Sequence, residues 1–194
     1  MTSTAIASVY RLTYADWLQS PDDGLRREII EGELYVTPPP SIAHQRVSRE
    51  IEFKLLTYLR ERGTGEVLNA PVGMRLGDED VFEPDLLVVL DAGIAKLDVH
   101  AVIGPADLVV EILSRGNARR DLVVKRRAYE RAGVREYWIA DPAAQSIEVL
   151  ALEGGAGVGD GAYVSRGVYR CGERLTSEVL DGFDLEVGEV FAGR

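Results

Sequence analysis

The stretch from Gly104 to Pro142, GPADLVVEILSRGNARRDLVVKRRAYERAGVREYWIADP, decides the fold of this chain. Asp107 to Leu113 within it form a nearly continuous apolar run, which is typical of a strand covered on both faces. Glu111 interrupts the run, and a buried carboxylate is costly unless a cation or a proton compensates its charge. The pattern therefore predicts a positive group beside Glu111.

A basic helix is predicted to follow this strand. Asn117 is a suitable N-cap, the helical periodicity continues to Ala132, and Gly133 is placed to end the helix. Residues at spacings of three, four and three lie in a narrow arc of a helix, and here these are Leu122, Lys125, Tyr129 and Ala132. Lys125 is thus predicted on the apolar side, where it is the candidate partner of Glu111.

The remaining basic residues of this region predict either a solvated helix surface or a phosphate contact. Residues 115–135 hold eight Lys or Arg against two acids, although the whole chain carries a net charge of −10. The net charge argues against a surface that attracts nucleic acid everywhere, but a local basic surface remains possible. The candidate contacts for nucleic acid are Arg115, Arg119, Arg120 and Arg126.

Length and composition favour one domain over residues 1–194, since 46% of the residues are hydrophobic and the chain is too short for two domains of typical size. No apolar run approaches the length of a membrane span and the N-terminus lacks a signal-peptide pattern, so we expect a cytoplasmic protein without a membrane segment. Cys171 is the only cysteine, which excludes an intrachain disulfide and a cysteine-based zinc site. Two histidines also argue against a histidine-rich metal site.

The N-terminal third predicts a hairpin followed by a long helix. Arg27 to Val36 form two apolar runs around Glu31-Gly32, a pair suited to a tight turn, and we expect this hairpin at the edge of the sheet. Ser41 is a suitable cap for a helix of about 20 residues. Its apolar stripe is predicted to comprise Val47, Ile51, Leu55, Tyr58 and Leu59. His44 and Glu50 lie on or near that stripe.

A second buried strand begins with a carboxylate. Asp85 follows Pro84 and opens the apolar run that ends at Leu90. If this strand pairs antiparallel with the strand bearing Glu111, Asp85 comes close to Glu111, whereas parallel pairing would place it opposite Asp107. The acidic segment from Gly77 to Glu83 is predicted to be a loop, and residues 91–106 are predicted to be loop or short helix.

The C-terminal part predicts further strands and no chemistry. They are expected at Arg135 to Ala140, Ser146 to Leu152, Tyr163 to Tyr169, Glu178 to Leu180 and Phe183 to Val187. The glycine-rich stretch at 154–161 lacks the Lys-Ser/Thr of a phosphate-binding loop and is predicted to be a flexible turn.

Several of these segments together resemble the Uma-type family of restriction endonucleases, within the PD-(D/E)XK nuclease superfamily. The matching segments, which run over roughly Tyr14 to Leu150, are the hairpin EGEL at 31–34, PPS at 39–41 with His44, EPD at 83–85, PADLVVEILS at 105–114, the helix with Asp121 and Lys125, YERAGVREYW at 129–138 and DP at 141–142. The resemblance implies an α/β fold with a restriction-endonuclease-like core. That core is a central mixed sheet flanked by helices, to which this chain adds an N-terminal hairpin and C-terminal strands.

The resemblance also implies a metal-dependent phosphodiesterase site. Asp85 matches the aspartate of the PD motif and Glu111 the second acid, so both are implied ligands of Mg²⁺, with Mn²⁺ as a possible substitute. The superfamily pattern places lysine two residues after the second acid, where this chain has Leu113. Lys125 on the following helix is the implied substitute, and His44, Glu50 and Asp121 are expected to contact the ligands or the metal-bound groups around them. The implied partners are DNA and a second copy of the chain in a homodimer.

Other interpretations of the same residues stay open at this point. Glu111 and Lys125 can be a buried ion pair without chemistry, and Asp121 and Lys125 have the i,i+4 spacing of a surface salt bridge. A catalytically silent module for DNA binding or assembly would also explain the basic helix and the absence of lysine at position 113. A nuclease acting on RNA or on branched or damaged DNA is a third possibility.

Overall fold

The computed structural model describes residues 10–114, 118–154 and 159–192, without the side chains of residues 118–121. Its helices are α1 (Tyr14–Trp17), α2 (Ile42–Arg62), α3 (Ala118–Ala132) and α4 (Val187–Phe191). Its strands are β1 (Arg26–Ile30), β2 (Glu33–Thr37), β3 (Gly65–Asn69), β4 (Gly73–Arg75), β5 (Val81–Phe82), β6 (Leu86–Leu90), β7 (Lys96–Leu97), β8 (Ala101–Ile103), β9 (Leu108–Ile112), β10 (Glu136–Asp141), β11 (Ser146–Glu153), β12 (Ala162–Arg170), β13 (Arg174–Thr176) and β14 (Asp184–Glu186).

The strands form a central sheet, a second sheet and a small hairpin. The central sheet has the order β12-β11-β10-β9-β6-β3, with β9 and β10 parallel and its other neighbours antiparallel. The second sheet has the order β2-β1-β5-β4-β8-β7, and β13 pairs with β14. The predicted mixed central sheet of a restriction-endonuclease-like core is confirmed. The N-terminal hairpin, however, edges the second sheet and not the central one.

Helix α2 covers one face of the central sheet. Ser41 caps it, because its Oγ accepts a hydrogen bond from the backbone N–H of His44, and Gly63 ends it with a left-handed φ of 61°. Its buried residues Val47, Ile51, Leu55 and Leu59 form the predicted stripe. They pack against alternate residues of β6 and β9, namely Leu86, Val88, Leu108 and Val110, together with residues of β13, β14 and α4.

Helix α3 and the second sheet cover the opposite face. Leu87, Val89 and Val109 of the central sheet pack there against Met74 and Phe82 of the second sheet, and the same cluster contains Tyr129 and Tyr137. Because side chains alternate along a strand, Asp85 and Glu111 belong to this face with the other odd-numbered residues of β6 and β9. The two carboxylates therefore point toward the interface between the sheets.

The pairing of β6 with β9 is antiparallel. Leu86 lies opposite Val110 and Leu87 opposite Val109, so the register continued by one residue brings Asp85 opposite Glu111. Side chains of directly opposed residues on one face are about 5 Å apart at Cβ. Of the two pairings left open by the sequence, the structure has the one that brings the carboxylates together.

Four segments differ from the sequence-based predictions. The acidic segment before Asp85 contains the short strand β5, and residues 91–106 contain β7 and β8. Residues 178–180 are not a strand, and Val187 begins α4 instead of ending a strand. The added strands have two or three residues each, too few for a periodic pattern. Strands β5 and β8 pair with segments distant in sequence, as Val81 does with Ile29, whereas β7 pairs with its neighbour β8. Among the described residues, no helix is both long and apolar enough to cross a membrane.

Candidate active site

Asp85 is buried at the start of β6 with both of its carboxylate oxygens in contact with donors. The backbone N–H of Ile112 donates to Oδ2 at 2.6 Å, and Nε2 of His44 lies 3.1 Å from the same oxygen. Nη1 of Arg26 lies 2.5 Å from Oδ1. Burial alone would raise the pKa of Asp85, but the hydrogen bond from His44 and the charge of Arg26 lower this pKa to about 2. Asp85 is therefore a carboxylate across the physiological pH range.

Glu111 is buried on the neighbouring strand and is held through one oxygen. Its Oε1 accepts hydrogen bonds from Lys125 Nζ at 3.0 Å and from the Tyr129 hydroxyl at 2.8 Å. Burial raises the pKa of Glu111 to about 6, the nearby carboxylates of Asp85 and Glu28 raise it as well, and Lys125 offsets part of this increase. The cluster thus contains two neighbouring carboxyl groups with pKa values pushed apart.

Lys125 lies between two carboxylates. Its Nζ is 3.0 Å from Glu111 Oε1 and 2.8 Å from Glu28 Oε1. Burial alone would lower the pKa of Lys125, but attraction by Glu111 and Glu28 raises it above the ordinary value. Lys125 is therefore an ammonium ion at neutral pH, and the sequence-based prediction that a cation lies beside Glu111 agrees with this arrangement.

Strand β1 of the second sheet contributes two residues that sequence reasoning missed. Arg26 and Glu28 are two positions apart and share a face, and they contact Asp85 and Lys125, respectively. Glu28 Oε1 also accepts the backbone N–H of Glu83 at 2.9 Å. The available signal was weak, because Glu28 directly precedes two isoleucines but follows two arginines.

A cleft of about 740 Å³ opens onto Asp85. Its walls come from the segment around Trp17 to Arg27, the first three turns of α2, residues 69–71 and His100. Polar and charged side chains that line it include Arg26, His44, Arg49, Glu52, Glu83 and Asp85. Glu111 and Lys125 are not among the lining residues that the structure describes, so the cleft reaches the cluster at Asp85 and Arg26.

The other candidate residues from the sequence are placed outside this cluster or outside the description. Glu50 pairs with Arg49 at 2.9 Å on the surface of α2, and no bond joins it to the cluster in the described part of the chain. Arg126 donates to the backbone oxygen of Tyr163 and does not line the cleft. Arg115 lies outside the described residues, as do the side chains of Arg119, Arg120 and Asp121.

Comparisons with known proteins agree with this architecture. The family model Uma2, described as "Putative restriction endonuclease", matches residues 13–188. The chain belongs to the Uma2 family. A crystal structure described as that of "a putative nuclease belonging to DUF820" from Anabaena variabilis superposes with a TM-score of 0.74 at 16% identity, covering 94% of this chain and 98% of that one. At that identity the similarity supports the fold alone. No curated protein matches the sequence.

The cluster fits a hard divalent cation, such as the one that the sequence resemblance implies, in charge and in ligand chemistry. Four carboxylates and two cations meet there, which leaves an excess of negative charge: Glu28, Glu83, Asp85 and Glu111 against Arg26 and Lys125. The described residues contain no ready group of three or more metal-ligating side chains. Mg²⁺ does not require one, because it is commonly held by one or two carboxylates and keeps several waters.

The raised pKa of Glu111 predicts how stability depends on pH. Since this pKa rises from 4.5 to about 6 on folding, the folded protein retains a proton that the unfolded chain releases between those values. The contribution of Glu111 to the free energy of unfolding is therefore greatest below pH 4.5. It should fall by about 2 kcal/mol as the pH rises through 6.

The measurement is urea unfolding of the wild type and of Glu111→Gln from pH 4 to pH 7. Other buried carboxyls such as Glu83 and Glu136 also have raised pKa values, so only the difference between the two proteins isolates Glu111. We expect the wild type to lose stability relative to the variant across this range. Parallel curves would show that Glu111 does not take up a proton on folding.

Proposed function

We propose that this chain is a metal-dependent endonuclease that hydrolyses phosphodiester bonds of DNA. The observation that carries the proposal is the juxtaposition of Asp85 and Glu111 on adjacent antiparallel strands, with Lys125 bonded to Glu111. A cleft of about 740 Å³ leads to this cluster at Asp85 and Arg26. Membership of the Uma2 family supports a nucleic-acid substrate.

Asp85 and Glu111 would hold Mg²⁺ or Mn²⁺, which supplies Lewis acidity for activating water and for offsetting charge on the phosphate. Asp85 suits this task because its pKa is lowered to about 2, so that no proton competes for it at neutral pH. Glu111 loses its proton near pH 6 and becomes available above that value. We therefore expect activity to rise with pH through about 6.

Lys125 is proposed to position the attacking water and to stabilise the charge that develops on the phosphate. Its pKa is raised by Glu111 and Glu28, so it cannot accept a proton at neutral pH. It can donate hydrogen bonds from an ammonium group held at two points, 2.8 Å and 3.0 Å from its carboxylate partners. This role differs from that of a general base, which a lysine with a lowered pKa could fill.

Two neighbours are proposed to fix the orientation of the carboxylates. His44 bonds to Asp85 through Nε2, and the Tyr129 hydroxyl donates to Glu111. Tyr129 is itself immobilised by edge contacts with Phe82 and Tyr137 at ring distances of 5.1 and 5.4 Å. Such outer contacts hold ligands in a defined geometry.

The cleft is proposed to contact the strand that is cut. It is lined by Arg26, Arg27, Arg49, His44 and His100, whereas Arg126 on α3 is bonded to the backbone of Tyr163. Arg115, Arg119 and Arg120 are proposed as further phosphate contacts. We also propose a homodimer, by analogy alone, because two copies are the simplest arrangement for cutting both strands of a duplex.

The test is a cleavage assay on supercoiled plasmid, single-stranded DNA, branched DNA and RNA, each with Mg²⁺, with Mn²⁺ or with EDTA. We expect cleavage of a DNA substrate in either metal and none in EDTA. Cleavage confined to RNA or to branched DNA would redirect the substrate assignment while keeping the chemistry. Equal cleavage in EDTA would contradict the proposed mechanism, and plasmid topology on a gel separates nicking from double-strand cutting.

A catalytically silent module that binds nucleic acid is the second candidate. One observation favours it: Asp85 and Glu111 are each paired with a cation of the protein, Arg26 and Lys125, so the cluster can be stable without a metal. This candidate predicts binding of nucleic acid without cleavage under any metal. Titration of Mn²⁺ into the protein, followed by electron paramagnetic resonance, separates the two, since a silent module should leave the Mn²⁺ signal unchanged.

A further inference from the structure

The guanidinium of Arg26 occupies the oxygen of Asp85 that remains for a metal. Nη1 lies 2.5 Å from Asp85 Oδ1, and Nη2 donates to the backbone oxygen of Glu83. The other oxygen, Oδ2, already accepts from Ile112 and contacts His44. A divalent cation and a guanidinium repel each other at this distance. Because Arg26 and a metal would both bind Oδ1, a metal binds there more favourably once Arg26 has left Asp85.

The side chain of Arg26 can move from Asp85 into the cleft, because it lines the cleft as well as the buried cluster. Its side chain is 15% exposed and lines the cleft, while Lys125 does not line it. It also lies within electrostatic range of Glu28 and Glu111. Among the cluster cations that the structure describes, Arg26 is thus the one in contact with both the carboxylates and the space where a substrate would enter.

We propose that Arg26 is a phosphate-binding residue that exchanges Asp85 for a phosphate of the entering nucleic acid, and that this exchange frees Asp85 for the metal. The proposal rests on the proposed function. Arg26 gives one hydrogen bond to Asp85 and one to the backbone oxygen of Glu83, whereas a phosphate can accept both through two of its oxygens, so it can replace Asp85 as the partner of the planar guanidinium. The exchange leaves neither charge unpaired, because the metal compensates Asp85 and the phosphate compensates Arg26.

The exchange links the two ligands. Nucleic acid and metal each favour the state in which Arg26 has left Asp85, so each should strengthen the binding of the other by the same factor. Without nucleic acid, Arg26 holds Asp85 and metal affinity is low. The metal site is then completed when a phosphate backbone occupies the cleft.

The test uses Arg26→Gln and two measurements that need no cleavage. Affinity for Mn²⁺ is measured on the free protein by electron paramagnetic resonance, and affinity for a short fluorescent DNA oligonucleotide is measured in EDTA by anisotropy. Removing Arg26 should tighten Mn²⁺ binding by about tenfold, because a competitor for Asp85 is lost. It should weaken oligonucleotide binding by about tenfold, because a bidentate phosphate contact is lost. A residue that only stabilises the fold cannot move the two affinities in opposite directions.

Arg49→Gln is the matched control. Arg49 lines the same cleft, is 63% exposed and pairs with Glu50 instead of Asp85. Its replacement removes the same charge from the cleft, so a general electrostatic effect on the oligonucleotide should be at most about threefold. Affinity for Mn²⁺ should stay at the wild-type value.

Arg26→Lys covers the case in which the glutamine variant does not fold. Lysine retains a positive charge on Asp85 but contacts a phosphate as a point charge. Affinity for Mn²⁺ should therefore stay near that of the wild type, while oligonucleotide affinity falls by several fold. Unchanged oligonucleotide affinity in this variant would overturn the bidentate role of Arg26.

The failure of this inference differs from the failure of the proposed function. If the wild type cleaves but Arg26→Gln leaves Mn²⁺ affinity unchanged or lower, the exchange is wrong and the nuclease stands. If the wild type neither binds Mn²⁺ nor cleaves, the nuclease and the coupling both fall. The anisotropy measurement in EDTA then tests the proposed phosphate contact of Arg26 by itself. Equal losses of oligonucleotide affinity in Arg26→Gln and Arg49→Gln would show that Arg26 has no special role.

Discussion

Replacing Glu111 with glutamine should abolish cleavage while the protein stays folded. The amide cannot act as an anionic ligand, so we expect Mn²⁺ binding to disappear and cleavage to fall by about a thousandfold or more, equivalent to about 4 kcal/mol of transition-state stabilisation. The fold should tolerate the change at neutral pH, because burial raises the pKa of Glu111 and its negative charge is held there at a cost. Melting curves, Mn²⁺ titration and cleavage are measured on one preparation.

Glu66→Gln is the control for this substitution. Glu66 lies in β3 of the same central sheet, and its side chain is exposed. The same chemical change there should leave the melting temperature, Mn²⁺ binding and cleavage as in the wild type. A Glu111→Gln protein that still cuts DNA and still binds Mn²⁺ would assign the catalysis to another group or to a contaminating nuclease.

Replacing Lys125 with methionine should affect both stability and activity. The ammonium is shared by Glu28 and Glu111, so its removal leaves two buried carboxylates without their cation. Breaking a buried pair in this way typically costs about 3 to 5 kcal/mol. For a chain of this size the melting temperature should then fall by about 6 to 20 °C. Cleavage should fall by orders of magnitude even at temperatures where the variant remains folded.

The effect of added metal distinguishes the loss of stability from the loss of cleavage in Lys125→Met. Bound Mn²⁺ compensates part of the negative charge that Lys125 no longer balances, so it should raise the melting temperature of the variant without restoring cleavage. Lys96→Met, at an exposed position of β7, controls for the loss of one surface lysine. A Lys125→Met protein with an unchanged melting temperature would show that Glu28 and Glu111 do not depend on this cation.

The central part of the site could be predicted because its signals are local. Glu111 stands out in an apolar strand, and the three-four-three spacing places Lys125 on the inner side of α3. The structure places these residues 3.0 Å apart. The family resemblance indicates Asp85. Its position opposite Glu111 of β9 depends on an antiparallel pairing that the sequence leaves open.

The sequence does not predict that Arg26 and Glu28 belong to the cluster, because their partners are distant in sequence. Strand β1 joins the second sheet through Ile29 and Val81, which are separated by more than fifty residues, and no local pattern encodes that pairing. The sequence therefore predicts a loop for the acid-rich segment before Asp85, which contains β5. It also predicts the hairpin at the edge of the central sheet, whereas the hairpin edges the second sheet. Residue spacing predicts which face a side chain occupies, whereas it does not predict which element lies opposite.

Helix α2 contacts the segment around Asp181 at one end and the candidate site at the other. With 21 residues it is about 31 Å long, and His44 lies in its first turn while Tyr58 and Arg62 near its far end bond to the backbone oxygen of Asp181. His44 lies about 27 Å from Arg62 along the helix, so a tilt of about 3° at the far end would carry His44 sideways by roughly 1.4 Å, and errors of about 1 Å in catalytic geometry can cost about a hundredfold in rate. The segment around Asp181, at the other end of this helix from the candidate site, is therefore expected to influence the position of His44 relative to Asp85.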